Sequence, residues 1–453
     1  MATPSPGAQR GRASPPAEPL GARLRGALSS LLSWLAFGLA APLWLFHPRV
    51  RIGLRTRLGG YPRGLAPGPG PRVWLHGASA GDVLGLVPII RELRALRPDA
   101  RILVTAMTDS GAAMAAQRLV PQGLADAATF VPWDVPGACR KAMRALRPDV
   151  LVLEYTELWP QLIRAAAASG ARLVLTNGRI GPRNLGRYRL LFWLVGNLLR
   201  RFELLLMRSD VEAERALLLG ATRASVKVTG NTKFDALAVS VPREPGPDPL
   251  LREALGCAGE RLWVCGSTHE GEEGPLLEIF QRLRSEFPGL RLVLAPRYVE
   301  RAPKLVELAR ARGLSVRLRS APGGAEAVIV LDTIGELVRV YTLATVVFVG
   351  GSFVRRGGQN VLEPAACGKP VLFGPRMENF VDSVQVLLGR GGLQVKSPAA
   401  LERLLRDLLA RPGELEKLGE MARAATAAVR GASLRDASLI ASLLPAPARG
   451  GAQ

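Results

Sequence analysis

The sequence is poor in the residues that build metal centres and disulfide scaffolds. Its 453 residues include only four cysteines, which lie far apart, and three histidines, His47, His76 and His269. Cysteines without a CxxC pair exclude a cysteine-rich zinc module and a disulfide-stapled fold, and so few histidines argue against a His-rich metal site. We therefore expect a metal-poor protein of a reducing compartment, with no cofactor beyond its substrates.

Two nucleotide-binding fingerprints are also missing. The chain contains no GxxxxGK[ST], which excludes a P-loop NTPase, and no GxGxxG after a first strand, which disfavours a dinucleotide dehydrogenase. Aromatic residues make up only 5%, and they do not interleave with the basic residues as in a nucleic-acid stacking platform. We expect no nucleic-acid partner. The 48% hydrophobic content excludes a mostly disordered chain, and the length suits two or three domains.

What the sequence has in excess is positive charge. The formal net charge is +22, of which +16 falls in the first 200 residues. Only seven of the 60 basic residues are lysine, so codon bias in a GC-rich genome is one source of the arginines, but it does not explain the asymmetry. A basic first half suits nucleic acid, an anionic membrane or a phosphorylated substrate, and without an aromatic stacking platform it fits the last two better.

The N-terminus combines a Pro/Gly/Ala-rich segment with an apolar run. Residues 1–26 are predicted to be disordered, and Ala27–Phe46 carries no charge over about the length that crosses a bilayer. Arginines flank this run, and the positive-inside bias favours a cytoplasmic location for the chain beyond Phe46. Gly38, Pro42 and three serines weaken a spanning helix, so a buried or interfacial helix and a signal peptide are the alternatives. We expect a membrane anchor.

Short apolar runs alternate with helical patterns from residue 72 onward, are interrupted by a proline-rich linker, and then resume. The eleven predicted strands are Val73–His76, Arg101–Thr105, Val150–Leu153, Arg172–Leu175, Leu204–Met207, Val226–Thr229, Leu262–Cys265, Leu290–Ala295, Ala327–Leu331, Val346–Val349 and Pro370–Phe373. This alternation predicts an α/β protein with parallel, doubly wound sheets. Two such Rossmann-like domains would face a cleft, with ligands beyond the carboxyl ends of the strands. The predicted boundaries are 47–241 for the first domain, 242–250 for the linker, 251–425 for the second domain and 426–453 for a C-terminal helix and tail.

Three polar motifs follow predicted strands of the first domain. In HGASAGD, Ser79 and Asp82 start a helix, where Asp82 either caps the helix or takes a proton from an attacking hydroxyl. In EYTELWP, Glu154 and Glu157 follow a buried strand, where acids are costly unless solvated or used. Arg179 opens a group of arginines suited to phosphate or carboxylate, although such groups are usually solvated.

Five motifs follow strands of the second domain, and together they predict a nucleotide site. Backbone amides, hydroxyls and an arginine would hold a phosphate, and a glutamate in a helix's first turns would accept from ribose hydroxyls. Each motif alone is also explained by a tight loop before a capped helix. The candidate residues are Ser267, Arg297, Gly335, Glu336, Ser352, Asn360 and Glu363.

The order of these motifs resembles the Kdo (3-deoxy-D-manno-octulosonic acid) transferases of lipopolysaccharide biosynthesis. The resemblance covers about residues 45–430 and includes HGASAGD, FVPWD, EYTELWP, TNGRI, GNTKFD, GSTHEGEE, APRY, DTIGEL, VGGSFV, GGQNVLEP and FGP. It implies a GT-B glycosyltransferase, anchored at the cytoplasmic face of the inner membrane. Such an enzyme moves Kdo from CMP-Kdo to a phosphorylated lipid A precursor, with inversion and without a metal.

The resemblance also implies roles for individual residues. The family's catalytic base falls on Asp82, and its second active-site acid falls on Glu154 or Glu157, of which we favour Glu157 because it adjoins LWP. Its basic residue in GNxKFD falls on Lys233, which with Ser79 and Arg179 we assign to substrate binding. The family's CMP-binding positions fall on six residues of the second-domain set, namely Arg297, Gly335, Glu336, Ser352, Asn360 and Glu363, and Ser267 is our addition from its own motif.

Three departures from the family pattern bear on the substrate. The family usually has Glu at Asp82, and His at Tyr298 and Gln359. A carboxylate one methylene shorter changes the reach of a base, and neither Tyr nor Gln titrates near neutral pH as His does. The alternatives are therefore a divergent GT-B transferase for another CMP-activated acidic sugar or acceptor, or a GT-B sugar-nucleotide epimerase.

Overall fold

The computed structural model describes residues 20–46, 51–62, 65, 68–238, 248–257 and 259–446. These residues form two compact units. The first comprises the described residues up to Ala236 together with those from Gly431 onward, and the second is Leu237–Arg430. The described residues from Gly431 onward, which the sequence assigned to a separate C-terminal helix and tail (426–453), thus group with the first unit.

The first unit is built on a seven-stranded parallel sheet. The strand order is β3-β2-β1-β4-β5-β6-β7, which is the order of a doubly wound Rossmann-like sheet. The strands are β1 (Arg72–His76), β2 (Arg101–Ala106), β3 (Ala127–Phe130), β4 (Val150–Glu154), β5 (Arg172–Gly178), β6 (Leu204–Met207) and β7 (Val226–Val228). Its helices are α1 (Leu20–Phe46), α2 (Leu54–Arg57), α3 (Ala80–Leu96), α4 (Asp109–Met114), α5 (Pro136–Leu146), α6 (Pro160–Ala168), α7 (Leu185–Val195), α8 (Asp210–Leu218) and α9 (Thr232–Ala238).

The second unit repeats this architecture. Its parallel sheet has the order β10-β11-β9-β8-β12-β13-β14. The strands are β8 (Arg261–Thr268), β9 (Leu290–Pro296), β10 (Val316–Leu318), β11 (Val328–Val330), β12 (Val346–Val349), β13 (Val371–Phe373) and β14 (Gly392–Gln394). The helices are α10 (Pro249–Ala254), α11 (Glu273–Glu286), α12 (Ala302–Arg310), α13 (Leu337–Leu343), α14 (Leu362–Ala366), α15 (Val381–Leu387), α16 (Pro398–Leu409) and α17 (Pro412–Val429), after which α18 (Ala432–Ser442) lies in the first unit.

Central strands are buried on both faces because helices cover each sheet. Every residue of β4 is buried, as are those of β12. Trp74 and Trp263 occupy the first strand of each unit and are fully buried, and the Trp74 indole N–H donates to the Thr105 hydroxyl (2.8 Å). Continuous apolar runs of this kind are typical of parallel sheets, and the two-unit α/β prediction is confirmed.

Three strands were not predicted, and each lies at the edge of its sheet. They are β3, β10 and β14. An edge strand buries less apolar surface, so its sequence carries a weaker strand pattern. The four residues of β3, AATF, are all only partly buried. The structure differs from the predicted boundaries at two places. Helix α1 begins at Leu20, inside the segment expected to be disordered, and helix α10 begins at Pro249, inside the expected linker.

Helix α1 lies against the first unit through its serines. Gln161 donates from its side-chain amide to the hydroxyls of Ser29 and Ser33 (both 3.1 Å), and Ser30 donates to the Gln161 amide oxygen (3.3 Å). Within the residues that the structure describes, no helix is both long and apolar enough to cross a membrane. The membrane anchor predicted at Ala27–Phe46 is therefore not supported as a spanning helix, and the serines near the start of that run are instead hydrogen-bonded to Gln161.

Candidate active site

Asp82 lies at the start of α3, directly beyond the carboxyl end of the central strand β1. Ser79 caps the helix, and its backbone N–H and hydroxyl both donate to Oδ2 of Asp82 (2.8 Å each). The Asp82 N–H in turn faces the Ser79 hydroxyl (3.4 Å), which completes a capping box. Asp82 thus supports the helix start as the capping-box partner of Ser79, a role close to the one that the sequence allowed, but only one of its oxygens is used by Ser79. The half-buried carboxylate is held in place and keeps an oxygen for a proton.

His76 ends β1 beneath this loop and is fully buried. Its Nδ1 lies 3.1 Å from both the carbonyl and the hydroxyl oxygen of Thr105. Burial lowers the pKa of His76 to about 4, against the opposing influence of the Thr105 carbonyl and Asp82. The imidazole is therefore neutral near pH 7, which makes it a support for the loop rather than an acid.

Glu154 ends β4 and is the buried centre of a polar network. Thr176 donates from its hydroxyl to Oε2 (2.6 Å), and Asn177 donates from Nδ2 to Oε1 (2.6 Å). The side-chain amide of Asn177 also contacts the Thr232 hydroxyl, and the Thr232 N–H donates to Oδ1 of Asn177 (2.9 Å). Three segments that are distant in sequence, the ends of β4 and β5 and the start of α9, are tied together through this carboxyl group.

Burial raises the pKa of Glu154 to about 7. The hydrogen bonds from Thr176 and Asn177 and the charge of Lys233 oppose this rise, whereas Asp82 adds to it. A β-carbon on Gly85 of α3 would lie 3.2 Å from Oε1 of Glu154, so the glycine leaves room for this carboxyl group against the helix that carries Asp82. The buried Glu154 carboxyl group thus packs against the helix that carries Asp82 and holds the ends of β4 and β5 together.

The backbone beside Glu154 adopts an unusual conformation. Tyr155 has φ 57° and Asn177 has φ 50°, in the left-handed region that residues with side chains rarely adopt. Such positions persist where surrounding contacts over-determine them and often mark functional sites. Here the Tyr155 N–H donates to the Thr176 carbonyl (2.9 Å), which holds the two strand ends together and turns the Tyr155 ring toward Lys233.

The other predicted residues of the first unit lie at the same edge. Glu157 is half-buried, and burial, aided by Asp82, raises its pKa while the Trp159 side chain opposes the rise. The exposed Lys233 ammonium lies 5.1 Å from the centre of the Tyr155 ring. Arg179 is exposed, and its backbone carbonyl and N–H meet the Thr156 hydroxyl. The structure thus gathers three carboxyl groups and a cation beyond β1, β4 and β5.

A pH-dependent stability is expected from Glu154. Its folded pKa is raised above the ordinary value of 4.5, so the stabilisation present below about pH 4.5 is lost as the pH rises through about 7. Replacing it in Glu154→Gln removes this titration, and an amide still matches the Asn177 donor and the Thr176 hydroxyl. In thermal unfolding, we expect the melting temperature of the variant minus that of wild type to increase from pH 5 to pH 8, because only the wild type loses stabilisation over this range. A difference in melting temperature that stays the same at both pH values would contradict this.

The second unit contains a pocket of about 470 Å³ at the carboxyl ends of its strands. Five of the seven predicted nucleotide-binding residues line it, namely Ser267, Arg297, Gly335, Asn360 and Glu363. Arg297 follows β9, and its guanidinium carbon lies 5.7 Å from the centre of the exposed Tyr298 ring. An exposed guanidinium beside hydroxyl, amide and carboxylate groups suits an anionic, hydroxyl-bearing ligand.

Glu336 and Ser352 are placed differently and are not among the pocket-lining residues. Glu336 accepts from the Arg319 guanidinium (3.3 Å) and from the Thr333 hydroxyl, which shapes the DTIGEL loop. Ser352 is fully buried; its hydroxyl donates to the Val349 carbonyl (2.6 Å) and accepts from the Gly374 N–H (2.9 Å). With its hydroxyl so engaged, Ser352 holds the loop after β12.

Glu272, which the sequence did not single out, connects two loops beside this pocket. It is buried and accepts from the N–H groups of His269 (3.0 Å), Gly351 (2.6 Å) and Phe353 (3.4 Å). Burial raises the pKa of Glu272 to about 7. A β-carbon on Gly350 would lie 2.5 Å from Oε1 of Glu272, so the glycine after β12 permits this contact. The loops that carry the GSTHEGEE and VGGSFV motifs are therefore held together by the Glu272 carboxylate.

Two of the departures from the family pattern meet at His269. Gln359 Nε2 lies 3.2 Å from His269 Nε2, and the Tyr298 ring stands edge-on to the imidazole, with centroids 5.8 Å apart. Burial, together with Arg356 and other nearby arginines, lowers the pKa of His269. Gln359 and Tyr298 thus line the pocket on either side of a neutral imidazole.

Solved structures share this two-unit, GT-B-like fold. A UDP-GlcNAc 2-epimerase from Neisseria meningitidis matches with a TM-score of 0.50 and 13% identity, over 80% of this chain and all of that one. A Listeria monocytogenes protein described as a UDP-N-acetylglucosamine 2-epimerase matches with a TM-score of 0.51 and 16% identity, over 83% and 96%. At these identities the likeness concerns the fold.

Sequence comparison is more specific. The family model described as 3-deoxy-D-manno-octulosonic-acid transferase (kdotransferase) matches residues 53–236. The transferase of that name from Bordetella pertussis is 31% identical over 415 residues, 87% of this chain and 94% of that one, and that of Haemophilus influenzae is 30% identical over 384 residues, 82% and 87%. The chain belongs to the 3-deoxy-D-manno-octulosonic acid transferase family and is a glycosyltransferase.

Proposed function

We propose that this chain transfers Kdo from CMP-Kdo to a hydroxyl group of a phosphorylated lipid A precursor, with inversion at the anomeric carbon. The observation that carries the proposal is the site at the carboxyl edge of the first sheet. There, Ser79 holds the Asp82 carboxylate beside the buried Glu154, in a member of the Kdo transferase family.

In the proposed reaction, Asp82 is the general base. The acceptor hydroxyl attacks the anomeric carbon of Kdo and gives its proton to the free oxygen of Asp82. A new carbon–oxygen bond forms to the acceptor as the bond to the CMP phosphate breaks, and CMP leaves with the bonding electrons. A single displacement of this kind inverts the anomeric centre. Glu157, whose raised pKa favours the protonated form, is the second acid of the site.

The pocket of the second unit is proposed to hold the CMP group. Arg297 stabilises the phosphate as charge develops on the leaving group, and Glu363 and Asn360 face the ribose hydroxyls. Because a guanidinium can supply this charge, we propose a transfer that needs no metal ion. Activity that is lost with EDTA and restored by a divalent cation would contradict this part of the proposal.

The acceptor is proposed to meet a basic surface of the first unit. Around α7, the side chains of Arg179, Arg183, Arg187 and Arg189 are all exposed. These arginines lie in the chain segment directly after β5, the strand whose carboxyl end is hydrogen-bonded to Glu154. Exposed guanidinium groups suit the phosphates of a lipid A precursor, and they also suit the anionic headgroups of an inner membrane.

A membrane surface is the proposed location, with α1 lying on the cytoplasmic face of the inner membrane. Leu31, Leu35 and Leu39 recur every four residues on one face of α1 and are 57%, 54% and 81% exposed. Leu190 and Trp193 of the neighbouring α7 are exposed as well. An apolar helix face beside arginines is typical of interfacial binding.

Negative charge on the exposed leucine face of α1 should weaken the binding of the protein to lipid vesicles. We expect a double change, Leu35→Glu and Leu39→Glu, to weaken binding to vesicles containing anionic lipid by about 10-fold or more, since two apolar side chains are lost and two negative charges face the lipid. Cosedimentation measures this. Leu250→Glu, at a leucine equally exposed in the second unit, is the matched control; equal binding by both variants would contradict the assignment of this face.

The transfer itself is tested with purified protein, CMP-Kdo and a lipid A precursor, by following CMP release with and without the acceptor. We expect release to depend on the acceptor. Turnover of the sugar nucleotide without any acceptor would instead favour the epimerase alternative. Transfer from a different CMP-activated acidic sugar in preference to CMP-Kdo would identify a divergent transferase.

A further inference from the structure

One buried carboxyl group lies behind the wall of the second unit's pocket, between the loops that follow β8 and β12. Oε1 of Glu272 accepts from the N–H groups of both His269 (3.0 Å) and Gly351 (2.6 Å). A third N–H, that of Phe353, lies 3.4 Å from Oε2. Buried backbone N–H groups need acceptors, and at this place a single side chain supplies the acceptors for two separate loops.

Gly351 connects this carboxylate to the segment that lines the pocket with Gln359. The N–H of Gly351 is bound by Glu272, and its carbonyl accepts from the N–H of Gly358 (3.0 Å), the residue before Gln359. Gly351 has φ 67°, a conformation that favours glycine. A β-carbon there would lie 3.2 Å from the His269 ring and 3.5 Å from Cγ of Gln359, so the Gly351 backbone is closely packed against both side chains.

The two pocket-lining side chains of this segment are directed by contacts of their own. Nε2 of Gln359 lies 3.2 Å from Nε2 of His269, the residue whose backbone N–H is held by Glu272. Oδ1 of Asn360 accepts from the N–H of Leu362 (3.0 Å) at the start of α14. Both side chains are only partly exposed. Hydrogen bonds and packing therefore connect the buried carboxylate to pocket groups whose directions are set.

We propose that Glu272 is a positioning residue for the nucleotide, which by binding the N–H groups of His269 and Gly351 together holds the Gln359 and Asn360 side of the pocket in the arrangement that binds CMP. Glu272 is buried and is not among the pocket-lining residues. The inference rests on the proposed function, because it takes CMP as the ligand of this pocket. The reach of the side chain to both loops is what matters here, rather than its negative charge.

Two conservative substitutions separate reach from charge. Glu272→Gln loses the charge but keeps the length of the side chain and an oxygen for the His269 and Gly351 N–H groups, while its amide nitrogen would face only the more distant Phe353 N–H. Glu272→Asp keeps the charge but is one methylene too short to reach both loops. An aspartate also suits this position, which is the N-cap of α11, so the helix should still form.

We expect Glu272→Gln to bind CMP within about threefold of wild type. Glu272→Asp and Glu272→Ala should bind CMP about 10-fold more weakly, since a pocket that must be ordered on binding loses affinity. Titration calorimetry with CMP measures these affinities. Hydrogen exchange without ligand reports on residues 350–360, which should exchange faster in Glu272→Asp and Glu272→Ala than in wild type.

Leu283→Ala is the matched control. This leucine is fully buried in α11, about three turns along the helix from Glu272. Its replacement leaves a cavity in the core and so lowers the melting temperature, but it removes no hydrogen bond of either loop. CMP affinity and the exchange of residues 350–360 should stay within about twofold of wild type in this variant.

A loss of CMP affinity in Glu272→Gln as large as in Glu272→Ala would overturn the proposal, because charge would then matter more than reach. Equal losses in Leu283→Ala and Glu272→Ala would overturn it too, because affinity would follow general stability. If Glu272→Ala does not fold, Glu272→Asp carries the comparison. A wild-type protein that binds no CMP would refute the proposed function, whereas a wild type that binds CMP no more tightly than Glu272→Asp and Glu272→Ala would refute this inference alone.

Discussion

Asp82→Ala is expected to slow Kdo transfer by about 10²–10⁴-fold, the range that a positioned general base contributes. The carboxylate is held by two hydrogen bonds from Ser79 at the carboxyl end of β1, and the proposed mechanism offers the acceptor proton no other base of this kind. CMP affinity should stay within about twofold, because the pocket residues belong to the second unit. Transfer rates and calorimetric titration with CMP measure the two effects separately.

Asp82→Asn separates the role in catalysis from the role in capping. The amide oxygen can still accept from Ser79, so α3 keeps its cap, but an amide takes no proton at neutral pH. We expect this variant to be as slow as Asp82→Ala and as stable as wild type. Asp109→Asn, at the start of α4 beyond the adjacent strand β2, is the matched control and should remain active. Full activity in Asp82→Asn would exclude Asp82 as the base.

Arg297→Ala is expected to weaken CMP binding by about 10–100-fold, as the loss of a charge-assisted hydrogen bond implies. The guanidinium is exposed at the pocket. Its removal therefore does not strand a buried acidic group, and it should not affect folding. The CMP affinity of Arg297→Lys should lie between those of wild type and Arg297→Ala, because an ammonium keeps the charge but lacks the planar set of donors of a guanidinium. Titration with CMP measures these affinities.

Arg310→Ala is the control for this prediction, since that arginine is exposed at the end of α12 in the same unit. Its CMP affinity should equal that of wild type. If Arg297→Ala binds CMP as tightly as Arg310→Ala does, the second unit holds the nucleotide by other groups, and the assignment of this pocket to the phosphate is wrong.

The sequence predicted much of the fold because central parallel strands are continuous apolar runs. Eleven of the fourteen strands in the described residues correspond to predicted runs, and the three that were missed are the edge strands β3, β10 and β14. The apolar run at Ala27–Phe46 was predicted to be a membrane anchor, since composition alone does not show that its serines bond to Gln161.

The site was predictable where a motif follows a strand, and unpredictable where contacts join distant segments. Asp82 and Arg297 each stand just beyond a strand end. The burial of Glu154 is different, because it depends on Thr176, Asn177 and, through them, Thr232. The sequence favoured Glu157 as the second acid from its neighbours LWP, and it offered no signal for the contact between Asp235 and the start of α18, which comes only with the return of that helix to the first unit.

Mass analysis of the lipid product is the decisive test of Kdo transfer by this protein. Wild-type protein is incubated with CMP-Kdo and a lipid A precursor, and the lipid fraction is analysed by mass spectrometry beside Asp82→Asn. We expect a lipid product heavier by one or more Kdo residues, formed by wild type together with CMP and nearly absent with Asp82→Asn. An unmodified lipid with the wild-type protein, in the presence of intact CMP-Kdo, would contradict it.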